Sequence, residues 1–525
     1  MAFGIVGVLF ASSAASAAGL DTYPTDPTEA EASIAEVVLG GSDTLSFAHS
    51  NKGSVTNPGT ESKPFAGSVL GTELIDFGGG ITIPIDQFID FGQAGALLSE
   101  STATDGRNGE GISGIAGGDG GLTLDGDNAD FGTAEIDLLS LFEAAGVDGA
   151  TGLAVDQADF SFGLGGAWAQ AIDGVLQDPD GVGGLGQYRV GDAKLVIHSP
   201  VIEQAADGVS TATGTLEQNV IDLVNTTLGL GALLPGMTID TTVNTTLTQD
   251  VLNAVVLAPI STDDGLATID IGAGTITVDL GRIGGNDDGV IPDRPVGINN
   301  QDPNTELIDS TTYPFIASSI HDVIEKVLEV ATDAAVASLQ AVTIDVAVAA
   351  ATGTTAGWTM DLTGAITNSF CTAAAFDIVS CPLIATARTA AGIAAATLGP
   401  IIADGNNPLY DAFTLVKTDL ITVPVRAAVD PFLDLIAGNV FSAQLNHQVT
   451  ATCTPAGGGT PLTSGLEVSA LSVGVIGGLA RFNVGNAGVR TDACNLAAPA
   501  LTATSPAPAG GSSTLTSCGW APSTD

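Results

Sequence analysis

The chain has 525 residues, with 59 acidic side chains against 13 basic ones and a formal net charge of −46, although only 14% of it is charged and its mean hydropathy is +0.37. So large a negative excess repels polyanions over about one Debye length, roughly 8 Å at physiological salt, and leaves no basic patch for nucleic acid or anionic lipid. The apolar content suffices for a core, so the composition describes a folded, strongly anionic export product. Two readings of the charge fit: an external surface in a salty or Ca²⁺-containing medium, or an acid-biased proteome in which the charge has no specific role.

At the start, Phe3 to Phe10 form an apolar run followed by small residues ending Ala15-Ser16-Ala17, an h-region with an A-x-A cleavage pattern. A signal peptide over 1–17 is expected, with the mature chain beginning near Ala18. Only Met1 and Ala2 precede the run where a basic n-region belongs, which points to a start codon assigned too far downstream. The competing reading is an apolar first strand.

About 500 residues exceed one ordinary core, so two lobes are expected, a β-rich domain over 18–310 and an α+β domain over 311–498. Strands are read from period-2 alternation: Phe160, Phe162 and Leu164; Ile239, Val243 and Leu247 with threonines between; Ile269-Asp270-Ile271; Ile276 to Leu280; and Ala480, Phe482 and Val484. Helices are read from their ends. Thr215-Leu216-Glu217-Gln218 has the form of a capping box leading into Leu216, Val220, Leu223 and Val224. A longer helix follows Pro314 with Ile316, Ile320, Val323, Ile324 and Val327 on one side. A third is expected to begin at Asp430-Pro431, run through Phe432, Leu435 and Ile436, and stop at Gly438-Asn439.

Each helix precedes a threonine- or valine-rich strand, over Thr238–Leu247, Val342–Val348 and Leu445–Cys453, a helix-then-strand unit too long-spaced for a solenoid. The apolar stretch Leu383–Ile402 is interrupted by Arg388, Gly392 and Pro400 and reads as a buried or half-buried helix, not a membrane span. From Pro499 the chain turns to Pro, Ser, Thr, Gly and Ala, and 499–525 is expected to be an extended tail. The fold class is therefore α+β, a β-rich body of antiparallel or mixed sheets with several long amphipathic helices.

All five cysteines lie in the last third. Cys371 and Cys381 are close enough to close a short loop, while Cys453 has Cys494 or Cys518 as partner, leaving one thiol over. Without a C-x-x-C or a neighbouring histidine, zinc and thioredoxin-like chemistry lack a basis. Gly181-Val182-Gly183-Gly184-Leu185-Gly186 matches G-x-G-x-x-G but follows Asp178-Pro179-Asp180 and leads into the strand-like Tyr188-Arg189-Val190, so it is read as a loop. The histidines His49, His198, His321 and His447 are isolated in sequence. In extended conformation Leu445, His447, Val449, Ala451 and Cys453 share a face, which makes His447 a hydrogen-bonded core-side histidine ahead of a metal ligand or general base.

The acidic loops hold the candidate metal ligands. Asp125, Asp127 and Asp130, Asp178 and Asp180, and Asp287 and Asp288 gather oxygens at the short spacing Ca²⁺ favours, without the alternation or closing glutamate of an EF-hand. Solvated turns are the plainer reading of the same residues. No other cofactor is expected. A secreted glycosidase needs two carboxylates across a cleft lined by aromatic platforms, and three Trp and four Tyr are few for that.

Several segments in order, Asp137-Leu138-Leu139-Ser140-Leu141 with Gly146-Val147-Asp148-Gly149, then Ala154–Ala169, Tyr188–Pro200, Ile276–Leu280 and Pro303–Leu307, resemble the choice-of-anchor G family of actinobacterial secreted surface proteins. The resemblance implies cell-surface display and brings no catalytic residues. The chain departs from the family pattern in carrying no sorting pentapeptide, apolar tail or basic stop, so the resemblance implies export without a mode of attachment. The expectation is a secreted or cell-wall-associated, adhesin-like protein, not an enzyme and not integral to a membrane, whose partner is a cell-wall polymer or extracellular ligand. The rivals are a secreted hydrolase acting on polysaccharide and an envelope pore or surface-layer subunit. If the acidic loops bind calcium, millimolar Ca²⁺ raises the melting temperature above its value in EDTA; superimposable melting curves remove the idea.

Overall fold

The computed structural model describes Leu20 and residues 22–39, 42–65, 74–76, 82–84, 89–90, 97–116, 122–124, 133–144, 154–178, 185–284, 297–308, 312–402, 423–436, 441–455, 459–475, 480–494, 500–503 and 515–518. Residues 1–17 lie outside this set, and with them the expected signal peptide. The fold is α+β, and every strand pairing recorded among the described residues is antiparallel.

Four sheets carry the body. The first is built on long strands in the order Ser42–Phe47, Thr28–Leu39, Ala480–Thr491, Leu462–Val475, Phe441–Cys453 and Thr305–Glu306. The second centres on Leu97–Ala103, Gly109–Ala116 and Gly166–Ile172. The third runs through Ala267–Asp270, Thr275–Asp279, Ala193–His198, Gln157–Gly163 and Thr133–Asp137. The fourth is Met237–Asn244, Thr343–Ala350, Thr355–Asp361 and Ile366–Thr372. Two of the expected helix-then-strand units thus place their strands side by side in one sheet, paired from Met237↔Ala350 to Asn244↔Thr343. Leu247, expected to extend the first of these strands, instead opens the helix Leu247–Val255, because Thr245 Oγ1 accepts its backbone N–H and turns the chain.

The first and third sheets face each other across an aromatic layer. Phe160 meets Phe441 edge-on with ring centroids 5.4 Å apart, and Phe162 meets Phe482 at 6.5 Å. The helices Pro200–Leu228, Leu247–Val255, Tyr313–Gln340 and Ser380–Ile402 fill the remainder of the same core, which draws on residues from Ile34 to Val484. A second, smaller core of Ala167, Ala169, Ala171, Leu176, Leu466, Val468, Ala487 and Val489 lies between the first and second sheets.

Two of the long strands, Leu462–Val475 and Ala480–Thr491, serve both cores by changing phase, and Thr28–Leu39 changes phase beside them. Buried positions run Ala30, Ala32, Ile34 and then Ala35, Val37; Leu466, Val468, Ala470 and then Leu471, Val473; Phe482, Val484 and then Ala487, Val489. A strict period of two would bury one row throughout. The slip falls where the ladder is interrupted along one line, at Ile34, Gly485, Ala470 and Asn446, none of which has a partner in the register of its pair. Gly485 and Asn446 there are left-handed, at φ 61° and 49°, the conformation that glycine and asparagine adopt at least cost. The slip also inverts the face expected for His447: Leu445 is fully buried in the main core, whereas His447 lies against Arg481, next to core-facing Phe482.

Three expectations shift. The helix read from Thr215 begins at Pro200, with Ser199 as N-cap accepting from the Val201 N–H at 3.3 Å and Gly229 closing it at φ 50°. Thr215 is an interior residue whose hydroxyl donates to the Thr211 carbonyl at 2.9 Å. The helix read from Asp430-Pro431 already spans Val423–Leu435 with Pro431 inside it; Pro424 is the proline of the first turn. Gly438 and Asn439 lie outside the described residues. Within the tail, Ala500–Ala503 pairs with Leu515–Cys518 as a short ladder. The helix following Pro314 runs over Tyr313–Gln340 and buries Ile316, Ile320, Val323, Ile324 and Val327 as expected.

Gly485 and Gly214 make a paired test of these backbone requirements. A Cβ at Gly485 would lie 2.8 Å from the Gly165 backbone, while one at Gly214, inside the Pro200–Leu228 helix, meets nothing within 4 Å. Gly485→Ala is expected to lower unfolding free energy by about 2–4 kcal/mol, from overpacking and left-handed strain together. Gly214→Ala should raise it by about 0.5–1 kcal/mol. Denaturant midpoints of the two variants moving the same way would contradict this account.

Candidate functional site: a threonine and aspartate sheet face

The fourth sheet has one face in the core and one in water. Ile344, Val346, Val348, Trp358 and Met360 point inward and are buried. The alternate residues form rows across the strands: Thr242, Asp345, Thr359 and Thr367; Asp240, Ala347, Gly357 and Phe370; Thr238, Ala349, Thr355 and Thr372. Asp345 ties three strands together, accepting from Thr359 Oγ1 at 2.6 Å and from Asn244 Nδ2 at 2.8 Å. These two donors hold its carboxyl below the usual carboxylate range. The Phe370 ring lies over Gly357, where a Cβ would come within 2.6 Å of it, and remains 57% exposed. The face therefore offers hydroxyls and carboxylates at strand spacing beside one open aromatic ring, on a rigid base.

One edge of that face is stapled. Cys371 on the last strand is bonded to Cys381 at the start of the helix Ser380–Ile402. Asp377, in the loop between them, accepts from Thr352 Oγ1 and Thr354 Oγ1 at 2.6 Å each and from the Ser380 N–H at 3.0 Å. The Ser380, Thr352 and Thr354 hydroxyls hold its carboxyl well below the ordinary value. The second disulfide joins Cys453 to Cys494, resolving the choice left open for Cys453. Two disulfides suit an oxidising environment.

Of the candidate calcium ligands, Asp178 alone is described; Asp125, Asp127, Asp130, Asp180, Asp287 and Asp288 lie outside the described residues. Among the described residues no group of three His, Cys, Asp or Glu is placed to hold a metal ion. The four histidines are not brought together. His49 pairs with Glu31 at 3.4 Å, His321 with Asp430 at 3.1 Å, and His198 with Asp156. Arg481 donates to His447 Nε2, which fixes that imidazole as the neutral acceptor. Burial, with Arg481 adding to it, brings the His447 pKa down to about 4.

A carboxylate pair that the sequence did not single out lies on the outward side of the third sheet. Asp159 is buried and accepts from Gln157 Nε2 at 2.5 Å; burial first, and then the neighbouring carboxylates of Glu135 and Asp137, push its pKa up to about 7. Asp137 stands directly opposite Asp159 in the ladder and caps the next helix by accepting from the Ser140 N–H at 3.0 Å. In sequence these acids are indistinguishable from dozens of others, and only strand pairing assembles them.

Residues 37–490 match the family described as Domain of unknown function (DUF8394). The chain belongs to this family. No curated protein and no solved structure matches it. The DUF8394 span opens within the strand Thr28–Leu39 and ends within its partner Ala480–Thr491, so it encloses the threonine face, the Cys371–Cys381 staple and the Asp159 pair.

Asp159 and His447 give opposite pH dependences. Folded Asp159 keeps its proton up to about 7 while the unfolded residue loses it near 3.8, so stability falls as pH rises between those values. Folded His447 resists protonation down to about 4 against 6.5 unfolded, so stability falls as pH drops through that window. Asp159→Asn should therefore melt higher than wild type at pH 8, with the difference vanishing toward pH 4. A difference independent of pH would show that the pair is not the cause.

Proposed function

We propose that the protein is a secreted or cell-wall-associated surface protein with a structural and adhesive display role, and that the outward face of its fourth sheet is the adhesive surface. The observation that carries this reading is the row arrangement on that face: threonine hydroxyls and the Asp345 carboxylate, fixed by cross-strand bonds, beside an exposed Phe370. Polyhydroxylated chains are recognised by such a combination, in which planar polar groups hold hydroxyls and an aromatic ring covers the apolar face of a sugar. The partner class is a cell-wall polymer or another extracellular glycan. Its placement outside the cytoplasm draws on the two disulfides, the apolar run before Ala18 and the resemblance to choice-of-anchor G proteins. No catalytic step is assigned.

A hydrolase acting on polysaccharide is the second reading, and the Asp159–Glu135 pair is what favours it, because a carboxyl near neutrality can exchange protons. Against it stands burial. Glycosidase carboxyls flank a cleft that admits the sugar bond, whereas Asp159 is only 4% exposed.

Cell fractionation with surface proteolysis, followed by retention of the purified chain on insoluble wall glycan, tests the display reading. Surface exposure is expected, and Phe370→Ala or Asp345→Ala should each weaken retention by about tenfold, the size of one well-placed contact. A cytosolic location, or retention indifferent to both substitutions, overturns it. Release of new reducing ends that Asp159→Asn abolishes would establish the hydrolase instead.

A further inference from the structure

The loop closed by Cys371 and Cys381, whose positions are ten apart in sequence, carries an apolar tip. Phe376 is fully exposed, Ile378 is 84% exposed and Val379 68%. The loop is held in order around them. Besides its disulfide it has the three bonds to the Asp377 carboxylate, a bond from the Ala374 N–H to Thr354 Oγ1 at 3.0 Å, and a turn closed from the Asp377 N–H to the Ala374 carbonyl at 3.0 Å. Phe376 is left-handed at φ 74°, a strained backbone for a bulky residue that persists only where the surroundings impose it.

The surface continues along the helix Ser380–Ile402, where Leu383, Ile393 and Ile401 are exposed. From Thr372 to Ile402 the single acid is Asp377 and the single base Arg388, in a chain of net charge −46. The helix is long and apolar enough to cross a membrane by length and composition, with a mean hydropathy of 1.3. Its Ile384, Ala387, Ala391, Ala395 and Leu398 are nonetheless buried in the main core, which keeps it attached to the body.

We propose that the Cys371–Cys381 loop and the outward face of the helix behind it dock the protein on a lipid surface of neutral headgroup charge, with Phe376, Ile378 and Val379 inserted at the acyl boundary. The tip is convex, so it enters a medium; it does not receive a ligand. Its one charged side chain is already bonded inward, so it offers no directional polar group by which a protein partner would be selected, and it can leave water without stranding that charge. The zero balance of charge from Thr372 to Ile402 lets this side approach a neutral surface, while the rest of the chain is repelled by an anionic one. The body-bound helix then lies on the bilayer and does not span it.

Co-sedimentation of the full chain with phosphatidylcholine vesicles, and with vesicles in which part of the lipid is phosphatidylglycerol, tests this. Binding to the neutral vesicles is expected, with weaker binding to the anionic ones at low salt that recovers as salt is raised. Phe376→Ser with Ile378→Ser should reduce binding by about a hundredfold, as two apolar side chains are lost from the insertion. An unchanged melting temperature for this double variant shows that the body is intact. Absence of binding to neutral vesicles overturns the proposal, as does binding that survives the double substitution. Concentration-dependent dimers abolished by the same substitutions, without vesicle binding, would assign the surface to a second copy of the chain. The vesicle assay does not depend on glycan adhesion, so either result stands apart from the fate of the threonine face.

Discussion

The architecture depends on the long strands of the first sheet, two of which, Leu462–Val475 and Ala480–Thr491, serve both cores by switching sides once. At the line through Ile34, Gly485, Ala470 and Asn446 the ladder misses a step, and on the two central strands the apolar Leu466, Val468, Ala487 and Val489 beyond it face the second core. One half of the sheet then packs on the Phe160 layer, the other on the alanine-rich second sheet. A continuous period of two could fill only one of these spaces and would put the second apolar row in water. The close approach of the second sheet follows from the same place. A Cβ at Gly111 would stand 2.1 Å from the Glu31 carbonyl oxygen, so the two backbones meet without intervening side chains.

Closure of the chain is tied to this sheet. The strand Thr28–Leu39 joins the edge of a local three-strand meander, Phe441 to Thr491, whose far end is crosslinked through Cys453–Cys494. Loop-closure entropy grows only slowly with length, so bringing residues more than 400 positions apart into register is tolerable once the pairing is long and specific. Arg490 supplies specificity: it bonds the carbonyls of Leu20, Tyr23 and Asp26 and the buried carboxylate of Glu29 at 2.9 Å. An ion pair that deep contributes less to net stability than to register, since its Coulomb energy is largely offset by desolvation.

Much of the secondary structure was legible, and the failures have identifiable causes. The strands around Phe160, Ile269 and Ile276 and the helix after Pro314 show strong periodicity and lie where periodicity puts them. The start of the helix at Pro200 was hidden because after Ile202 its buried face runs through Ala205, Gly208, Val209, Ala212 and Thr213, mostly small residues that carry little hydropathy contrast. Thr215 looked like a cap because a threonine hydroxyl can satisfy an N-terminal N–H or bond back to the carbonyl one turn earlier, and sequence does not distinguish the two. The phase slip is written in Leu466-Glu467-Val468-Ser469-Ala470-Leu471-Ser472-Val473, where alternation breaks at two adjacent apolar residues, but it acquires meaning only when the neighbouring strands slip on the same line. The threonine face joins Asp345 to Thr359 and Asn244, 14 and 101 residues away, and the acidic cluster sets Asp137 opposite Asp159 through strand pairing, so no local pattern could have assembled them.

The acidic excess is partly absorbed by the backbone. Asp26 accepts from the Val55 and Thr56 N–H groups, Asp105 from those of Arg107 and Asn108, and Asp361 from those of Thr363 and Ala365. Each carboxyl is held below its usual range: Asp105 chiefly by the Asn108 side chain, Asp361 chiefly by the Thr363 hydroxyl, and Asp26, against burial, by Thr56 and Val55, with the backbone N–H groups contributing in all three. Aspartate in this role replaces water at turn N–H groups that a glycine-rich, strand-rich chain must satisfy many times over. The negative charge is thus needed for turns as well as carried on the surface, and it cannot be removed uniformly without loosening them. In the stretch Thr372–Ile402 the one acid, Asp377, serves a turn and the one base is Arg388, so the rest of its surface is apolar or hydroxylic. The helix Ser380–Ile402 carries no carboxylate, and what sets this side of the molecule apart is the run of exposed Phe376, Ile378, Val379, Leu383 and Ile393 around a turn whose aspartate is already bonded.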